Sequence, residues 1–121
     1  YDNATLLPAD QPTFAHYLSN ADYDTVLSGK MHFVGPDQLH GYVERYVGDH
    51  SPNYLGGKAP DRGVLEGTAD PHRISLKRSG SGQSAYQVHD EDVAAATVDY
   101  LNSLGVRKRG GYNLEPFAIT V

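Results

Sequence analysis

The chain has 121 residues, of which 39% are hydrophobic and 21% are charged, and its formal net charge is -5. This length corresponds to one domain or less. The negative charge argues against a nucleic-acid partner, because phosphate backbones recruit basic surfaces. No apolar run is long enough to cross a membrane, and without cysteine the chain forms neither disulfides nor thiolate metal sites. We therefore expect neither nucleic acid nor a membrane as a partner, and the oligomeric state stays open.

The first predicted element is a helix over residues 11–21. Asp10 is its predicted N-cap, and Pro12 is tolerated in the first turn. His16 lies off the apolar face and is expected to be solvated. The apolar residues recur at helical spacing and are expected to share one buried face: Phe14, Tyr17, Leu18 and Ala21.

A strand is predicted next, from Tyr23 to Ser28. Asp22 stands between the helix and this strand, where a left-handed backbone would end the helix. Glycine adopts that conformation freely and aspartate tolerates it at modest cost.

The strand leads into Gly29, Lys30, Met31 and His32. If the chain stays extended past Gly29, residues two apart point the same way, and Lys30 and His32 share one face. Ligands of open α/β sheets bind at the carboxyl ends of the strands. A permanent cation beside a titratable imidazole suits a tetrahedral oxyanion such as sulfate or phosphate. We therefore predict Lys30 and His32 as the catalytic residues; the alternative is an ordinary solvated loop.

Two other types of site, a phosphate-binding P-loop and a metal cluster, fit the same region less well. A phosphate-binding P-loop is excluded, because Met31 replaces the required Ser or Thr and Asp24 replaces the first glycine. A metal cluster can be drawn from several side chains, but no predicted helix holds them at a fixed ligand spacing. Those side chains are His32, Asp37, His40 and His50.

Residues 33–83 are predicted to be an irregular insert, because they are rich in glycine and proline and show no sustained period. Order is predicted to return in a helix that starts at Ser84, which forms a capping box with Gln87, and stops at Gly105. The buried stripe of this helix would be Val93, Thr97, Tyr100, Leu101 and Leu104. Phe117 to Val121 is almost wholly apolar, as a strand buried on both faces of a parallel sheet would be.

Residues 29–32 also resemble the Gly-Lys-Trp-His signature of the sulfatases, in the alkaline phosphatase superfamily. A longer string resembles choline-sulfatase-like sequences, and it runs from 1–3 through 8–18 to 35–42. This match covers roughly the first 49 residues and is specific, since a run this long rarely recurs by chance. The helix and strand at the end of the chain show a weaker resemblance.

The resemblance implies a fold and a place in a larger protein. The fold would be part of an alkaline-phosphatase-like sandwich with a mostly parallel central sheet. Residues 1–121 would be an interior part of one catalytic domain, cut at both ends: 1–32 with the helix and strand, 33–83 as the insert, and 84–121 with the second helix and strand. A cytoplasmic location is favoured, and the periplasm stays open.

The resemblance also implies a chemistry, the hydrolysis of sulfate monoesters such as choline sulfate or a related alkyl or carbohydrate sulfate. Its nucleophile would be a formylglycine made from Cys or Ser in a Cys/Ser-x-Pro-x-Arg motif, and its metal a divalent ion of the calcium type. The modified residue and the metal ligands would lie outside this segment. Lys30 would neutralise sulfate oxygens and steady the formylglycine diol, and His32 would bind the diol and act as a base.

Alternatives remain open for the reaction and for the alcohol part of the substrate. The chain could belong to a phosphodiesterase or phosphonate monoester hydrolase of the same superfamily, or it could be a non-catalytic α/β fragment. A trimethylammonium group would require an aromatic cage, for which Tyr42, Tyr46 and Tyr54 are candidates. The alternative for each tyrosine is ordinary packing in the core or on the surface.

Overall fold

The computed structural model of the chain describes residues 5–49 and 80–121. These residues form two helices and three short strands, in an α/β arrangement as predicted. The elements are α1 (Phe14–Ser19), β1 (Asp24–Leu27), β2 (Glu44–Arg45), α2 (Ala85–Arg109) and β3 (Phe117–Thr120). The strands form one parallel sheet in the order β2-β1-β3.

Strand β1 is the centre of the sheet. Val26 is aligned with Glu44 of β2 on one side and with Ile119 of β3 on the other. Its last three residues, Thr25 to Leu27, are buried. Because all three strands are parallel, their carboxyl ends lie at the same edge, where the residues after β1 emerge.

The two helices cover opposite faces of the sheet. Val26 and Leu27 are consecutive on β1, so their side chains point to opposite faces. Leu27 packs with Ala15 of α1 and with Tyr42, whereas Val26 packs with Tyr100 and Leu104 of α2. Burial on both faces is the usual condition of a parallel sheet.

Helix α1 is shorter than predicted and starts later. Its N-cap is Thr13, not Asp10. The Thr13 hydroxyl donates to the carbonyl oxygen of His40 at 2.6 Å, which fixes the start of the helix from outside it. The Thr13 N–H donates to His16 Nδ1 at 3.0 Å, so His16 completes the cap and is not the solvated residue that was predicted.

The predicted apolar face of α1 is also wrong in part. Phe14 and Tyr17 are 58% and 66% exposed, and the buried contact to the sheet is made by Ala15. The following loop also lies close to the helix: a Cβ on Gly41 would be 2.6 Å from the backbone nitrogen of His16. Ala15, a small residue, packs with Leu27 and Tyr42.

The left-handed backbone predicted at Asp22 is confirmed, with φ 61°, although α1 has already ended at Ser19. The capping box at the start of α2 is confirmed as well: the Gln87 N–H donates to Ser84 Oγ at 3.2 Å, and the Ser84 N–H donates to Gln87 Oε1 at 2.7 Å. Helix α2 continues past Gly105 and is capped at Gly110. Three cations in its last turn, at 107–109, stabilise the negative end of the helix dipole.

Two expectations about burial near the end of the chain need correction. Tyr100 and Leu104 of α2 are buried as predicted, but Leu101 is 43% exposed. Strand β3 is partly buried rather than enclosed on both faces, because it lies at the edge of the sheet that the described residues form. Strand β2 was not predicted; it lies within 33–83, the stretch in which the sequence shows no period.

Among the described residues, no helix combines the length and the apolar character that crossing a membrane requires.

Candidate functional site

The candidate residues follow β1 at the carboxyl edge of the sheet. The chain turns at Gly29, whose φ is 105°, and the Gly29 N–H donates to the carbonyl oxygen of Val47 at 2.7 Å. A Cβ at Gly29 would lie 3.3 Å from Val93 of α2. The positive φ strains any other residue at the turn, and the close approach to the Val93 side chain adds a smaller reason for glycine.

The chain is not extended past Gly29, so the argument that placed Lys30 and His32 on one strand face does not apply. The strand ends at Leu27, and His32 is left-handed with φ 56°. Lys30 and His32 are nevertheless both exposed, and Met31 between them is partly buried.

Met31 anchors this loop. Its side chain packs against the core cluster of Ala15, Leu27 and Tyr42. Its N–H donates to Asp49 Oδ1 at 2.9 Å. The loop is therefore held at its centre, and its exposed cation and imidazole stand on either side of that anchor.

A buried ion pair lies beneath the loop. Arg45 Nη2 is 2.6 Å from Asp49 Oδ1, and the two side chains are 8% and 4% exposed. Arg45 also donates to the carbonyl oxygen of Gly29 at 3.0 Å, and to Gln38 Oε1 at 2.8 Å. We call these two residues the Arg45–Asp49 pair.

Sequence reasoning missed this pair. Arg45 and Asp49 are four residues apart, a spacing that indicates contact on a helix, but no helix is predicted or found there. In the sequence the pair is only a cation and a carboxylate within a stretch that has no periodicity, and such charged residues are usually solvated at the surface.

Helix α2 contributes contacts next to the loop. His89 is buried, and its Nε2 lies 2.8 Å from the carbonyl oxygen of Gly48. Ser28 Oγ donates to the carbonyl oxygen of Val93 at 3.4 Å, a long hydrogen bond. The first half of α2 thus supports both the turn at Gly29 and the segment that carries Asp49.

His40 is a buried residue of the following loop. It is 1% exposed, and its ring meets Phe33 edge to face with centroids 4.6 Å apart. Its Nδ1 is 3.2 Å from Asp37 Oδ2, but neither ring nitrogen makes an aligned hydrogen bond within the described residues. We treat the 3.2 Å contact as a polar contact only, since distance without alignment is weak.

Asp37 is held by the backbone. Its Oδ1 accepts from the N–H groups of His40 at 3.0 Å and Leu39 at 3.1 Å. The bond from His40 is the largest cause that lowers the pKa of Asp37 below its usual value, since it stabilises the carboxylate.

The described residues do not form the metal cluster that was considered from the sequence. No three His, Asp or Glu side chains in 5–49 and 80–121 converge as metal ligands. Asp37 and His40 are neighbours, and His50 lies outside the described residues.

The candidate tyrosines are separated by the sheet. Tyr42 is buried on the α1 side, where its hydroxyl is 2.8 Å from Thr120 Oγ1. The Tyr46 ring lies 5.7 Å from that of Tyr100, on the α2 side. Tyr42 and Tyr46 therefore do not form one aromatic cage, and Tyr54 lies outside the described residues.

The Tyr46 and Tyr100 hydroxyls are bound to carboxylates. Tyr46 donates to Glu44 Oε2 at 2.6 Å; this bond, followed by burial and the nearby carboxylate charges, raises the pKa of Tyr46 to about 12. Tyr100 donates to Asp24 Oδ2 at 3.1 Å; burial, followed by this bond, raises the pKa of Tyr100 well above its usual value.

A surface depression of about 550 Å³ lies at the other end of β1, beside Asp24, Arg107 and Glu115. Neither Lys30, His32 nor the Arg45–Asp49 pair lines it. Size alone is weak evidence of function, and we place the candidate site at the carboxyl edge because the exposed Lys30 and His32 lie there.

Comparison with known proteins adds a partial match. No protein-family model matches the chain. A stretch of 56 residues is 57% identical to the choline-sulfatase of Rhizobium meliloti (strain 1021). That stretch is 46% of this chain but 11% of the relative, so the chain spans a small part of the relative's length. The identity supports a sulfatase-like relationship and, at a coarse level, a hydrolase.

Proposed function

We propose that this chain is part of an enzyme that hydrolyses sulfate monoesters, with Lys30 and His32 in its active site. The observation that carries the proposal is their placement: both are exposed at the carboxyl edge of the sheet, on either side of the anchored Met31. The similarity to a choline-sulfatase supports the reaction class. The substrate would be choline sulfate or another alkyl or carbohydrate sulfate.

Lys30 would bind the sulfate group. Its ammonium is a compact, mobile cation with three donors, which suits the oxygens of a tetrahedral anion. Electrostatic stabilisation contributes most where negative charge develops in the transition state. Lys30 would thus lower the barrier as well as bind the ester.

His32 would move a proton. Histidine changes charge close to physiological pH, so one ring nitrogen can accept a proton during turnover and return it. His32 is exposed, so its ring can reach a substrate that Lys30 holds.

The other groups of a sulfatase active site would come from residues outside the described part of the chain. A formylglycine would supply the nucleophile. The chain has no Cys/Ser-x-Pro-x-Arg motif, and the described residues do not fit a metal ion, so we assign neither the formylglycine nor a calcium-type ion to them. We also propose that the sheet, with a helix on each face, is part of an alkaline-phosphatase-like sandwich.

The test is an assay of the full-length protein that contains this chain on matched nitrophenyl sulfate and phosphate esters. We expect a preference for the sulfate ester of at least tenfold in kcat/KM, or about 1.4 kcal/mol in the barrier. A preference for phosphate would replace the proposal with a phosphodiesterase or phosphonate monoester hydrolase. Failure to cleave either ester would favour a non-catalytic module.

A further inference from the structure

We propose that Arg45 and Asp49 are positioning residues that set the direction of the Lys30 side chain. The proposal rests on the function proposed above for Lys30. Its basis is the pair of peptide groups that flank the Lys30 Cα atom. Both of them are hydrogen-bonded to the Arg45–Asp49 pair.

The peptide group before Lys30 is bound by Arg45. Its carbonyl oxygen is that of Gly29, and it accepts from Arg45 Nη2 at 3.0 Å. The same Nη2 donates to Asp49 Oδ1 at 2.6 Å. One nitrogen of the guanidinium therefore joins the backbone of the loop to the carboxylate.

The peptide group after Lys30 is bound by Asp49. Its N–H is that of Met31, which donates to Asp49 Oδ1 at 2.9 Å. The same carboxylate oxygen thus accepts from Arg45 and from Met31. With both flanking peptide planes held, the direction of the Cα–Cβ bond at Lys30 is fixed.

The other terminal nitrogen of the Arg45 guanidinium is hydrogen-bonded as well. Its Nη1 donates to Gln38 Oε1 at 2.8 Å and to the Gln38 carbonyl oxygen at 3.2 Å. The planar, rigid fork of a guanidinium suits this set of partners, and a lysine at position 45 would not reproduce it.

Such support matters because Lys30 is outside any regular element. The loop turns at Gly29 and again at His32, both with positive φ, so no strand ladder fixes the residues between them. A misplacement of about 1 Å at a catalytic group costs roughly 100-fold in rate. The hydrogen bonds of the Arg45–Asp49 pair hold the peptide groups around Lys30, as the hydrogen bonds between strands would in a sheet.

If the pair had a purely structural role, its removal would affect activity differently. If the pair only stabilised the fold, its loss would lower activity by the same factor whether or not Lys30 were present. If it acts through Lys30, the loss should nearly vanish once the Lys30 side chain has been removed. A double-mutant cycle separates the two roles.

The experiment uses the full-length protein with Asp49→Ala and Asp49→Asn, each with Lys30 intact and in a Lys30→Ala background. Asp49→Asn keeps the shape of the side chain and an oxygen that can accept from the Met31 N–H. It replaces Asp49→Ala in the experiment if that variant fails to fold. Asp10→Ala is the control, because Asp10 is an exposed carboxylate outside α1. The readouts are kcat on a nitrophenyl sulfate and hydrogen exchange of the Met31 amide.

With Lys30 present, we expect Asp49→Ala to lower kcat by roughly 10- to 100-fold and to speed exchange at Met31. In the Lys30→Ala background we expect a further loss of less than about threefold. Asp10→Ala should change neither readout. Asp49→Asn should give a smaller loss than Asp49→Ala.

Equal losses in the two backgrounds, or unchanged exchange at Met31, would overturn the positioning role. An inactive wild-type protein would instead overturn the proposed function. Exchange at Met31 would then still decide whether the pair holds the peptide groups around Lys30.

Discussion

Each residue of the loop after β1 has a different structural role. Gly29 supplies a turn whose positive φ would strain any other residue, and the Met31 side chain packs against the core. Lys30 and His32 are left exposed. They could be chosen as candidate catalytic residues from the sequence alone, because residue type and position after a strand are local properties.

We expect Lys30→Ala in the full-length protein to lower kcat by about 100-fold, or on the order of 3 kcal/mol, through lost charge stabilisation. The stability of the fold should not change, since the side chain is exposed and leaves no cavity. Steady-state kinetics on a nitrophenyl sulfate and a thermal melt check both parts. His32→Ala should also lower kcat, and should alter the shape of the pH–rate profile.

Lys108→Ala is the control for these variants, because Lys108 is an exposed cation in the last turn of α2. His40, the neighbouring histidine in the sequence, is unsuitable as a control since it is buried. A loss at Lys108 as large as that at Lys30 would contradict the assignment of Lys30 to the active site.

Tyr46 provides a test at high pH. Its pKa is raised from 10.0 to about 12 in the folded protein, so the folded state keeps the proton longer than the unfolded state does. The resulting stabilisation is fully present below pH 10 and is lost as the pH rises through about 12. Chemical denaturation between these values should show a steeper loss of stability in the wild type than in Tyr46→Phe. Identical slopes would contradict the Tyr46–Glu44 hydrogen bond.

The helices show which structure can be predicted from the sequence and which cannot. The start of α2 was predicted correctly, because Ser84 and Gln87 satisfy each other within one turn. The start of α1 was predicted wrongly, because Thr13 is fixed by a carbonyl 27 residues away. The Arg45–Asp49 pair was missed for the same reason: its meaning depends on Gly29 and Met31, which lie on another segment.

The N-cap of α1 is testable by a matched pair of substitutions. Thr13→Ala removes the hydroxyl that binds the His40 carbonyl, and should lower the free energy of unfolding by about 1 to 2 kcal/mol. Asp10→Ala should change it by less than about 0.5 kcal/mol, as an exposed substitution away from the cap. Denaturant titration measures both values. A larger loss in the free energy of unfolding for Asp10→Ala than for Thr13→Ala would indicate that Asp10 is the N-cap, as predicted from the sequence.

The sheet as a whole leaves apolar surface exposed in the described part of the chain. Phe117 and Val121, in and after β3, are 42% and 70% exposed, and Val98 and Leu101 of α2 are exposed as well. Strands β2 and β3 are the outer strands of the described sheet, and an outer strand offers unpaired backbone groups.

We therefore expect the 121-residue polypeptide, produced by itself, to associate as its concentration rises. Sedimentation velocity across a concentration series measures this association, and a dye that binds apolar surface should become fluorescent. A monomer with a cooperative thermal melt at all concentrations would contradict the expectation.

The order of the strands also constrains how the molecule is made. The partners β1 and β3 lie about 90 residues apart, so a ribosome adding roughly 5 to 20 residues per second finishes β3 some 5 to 20 s after β1. The contacts around Lys30 span fewer than about 20 residues, and short loops close first. The hydrogen bonds from Gly29 and Met31 to the Arg45–Asp49 pair can therefore form on the nascent chain before β3, the second neighbour of β1, has been synthesised.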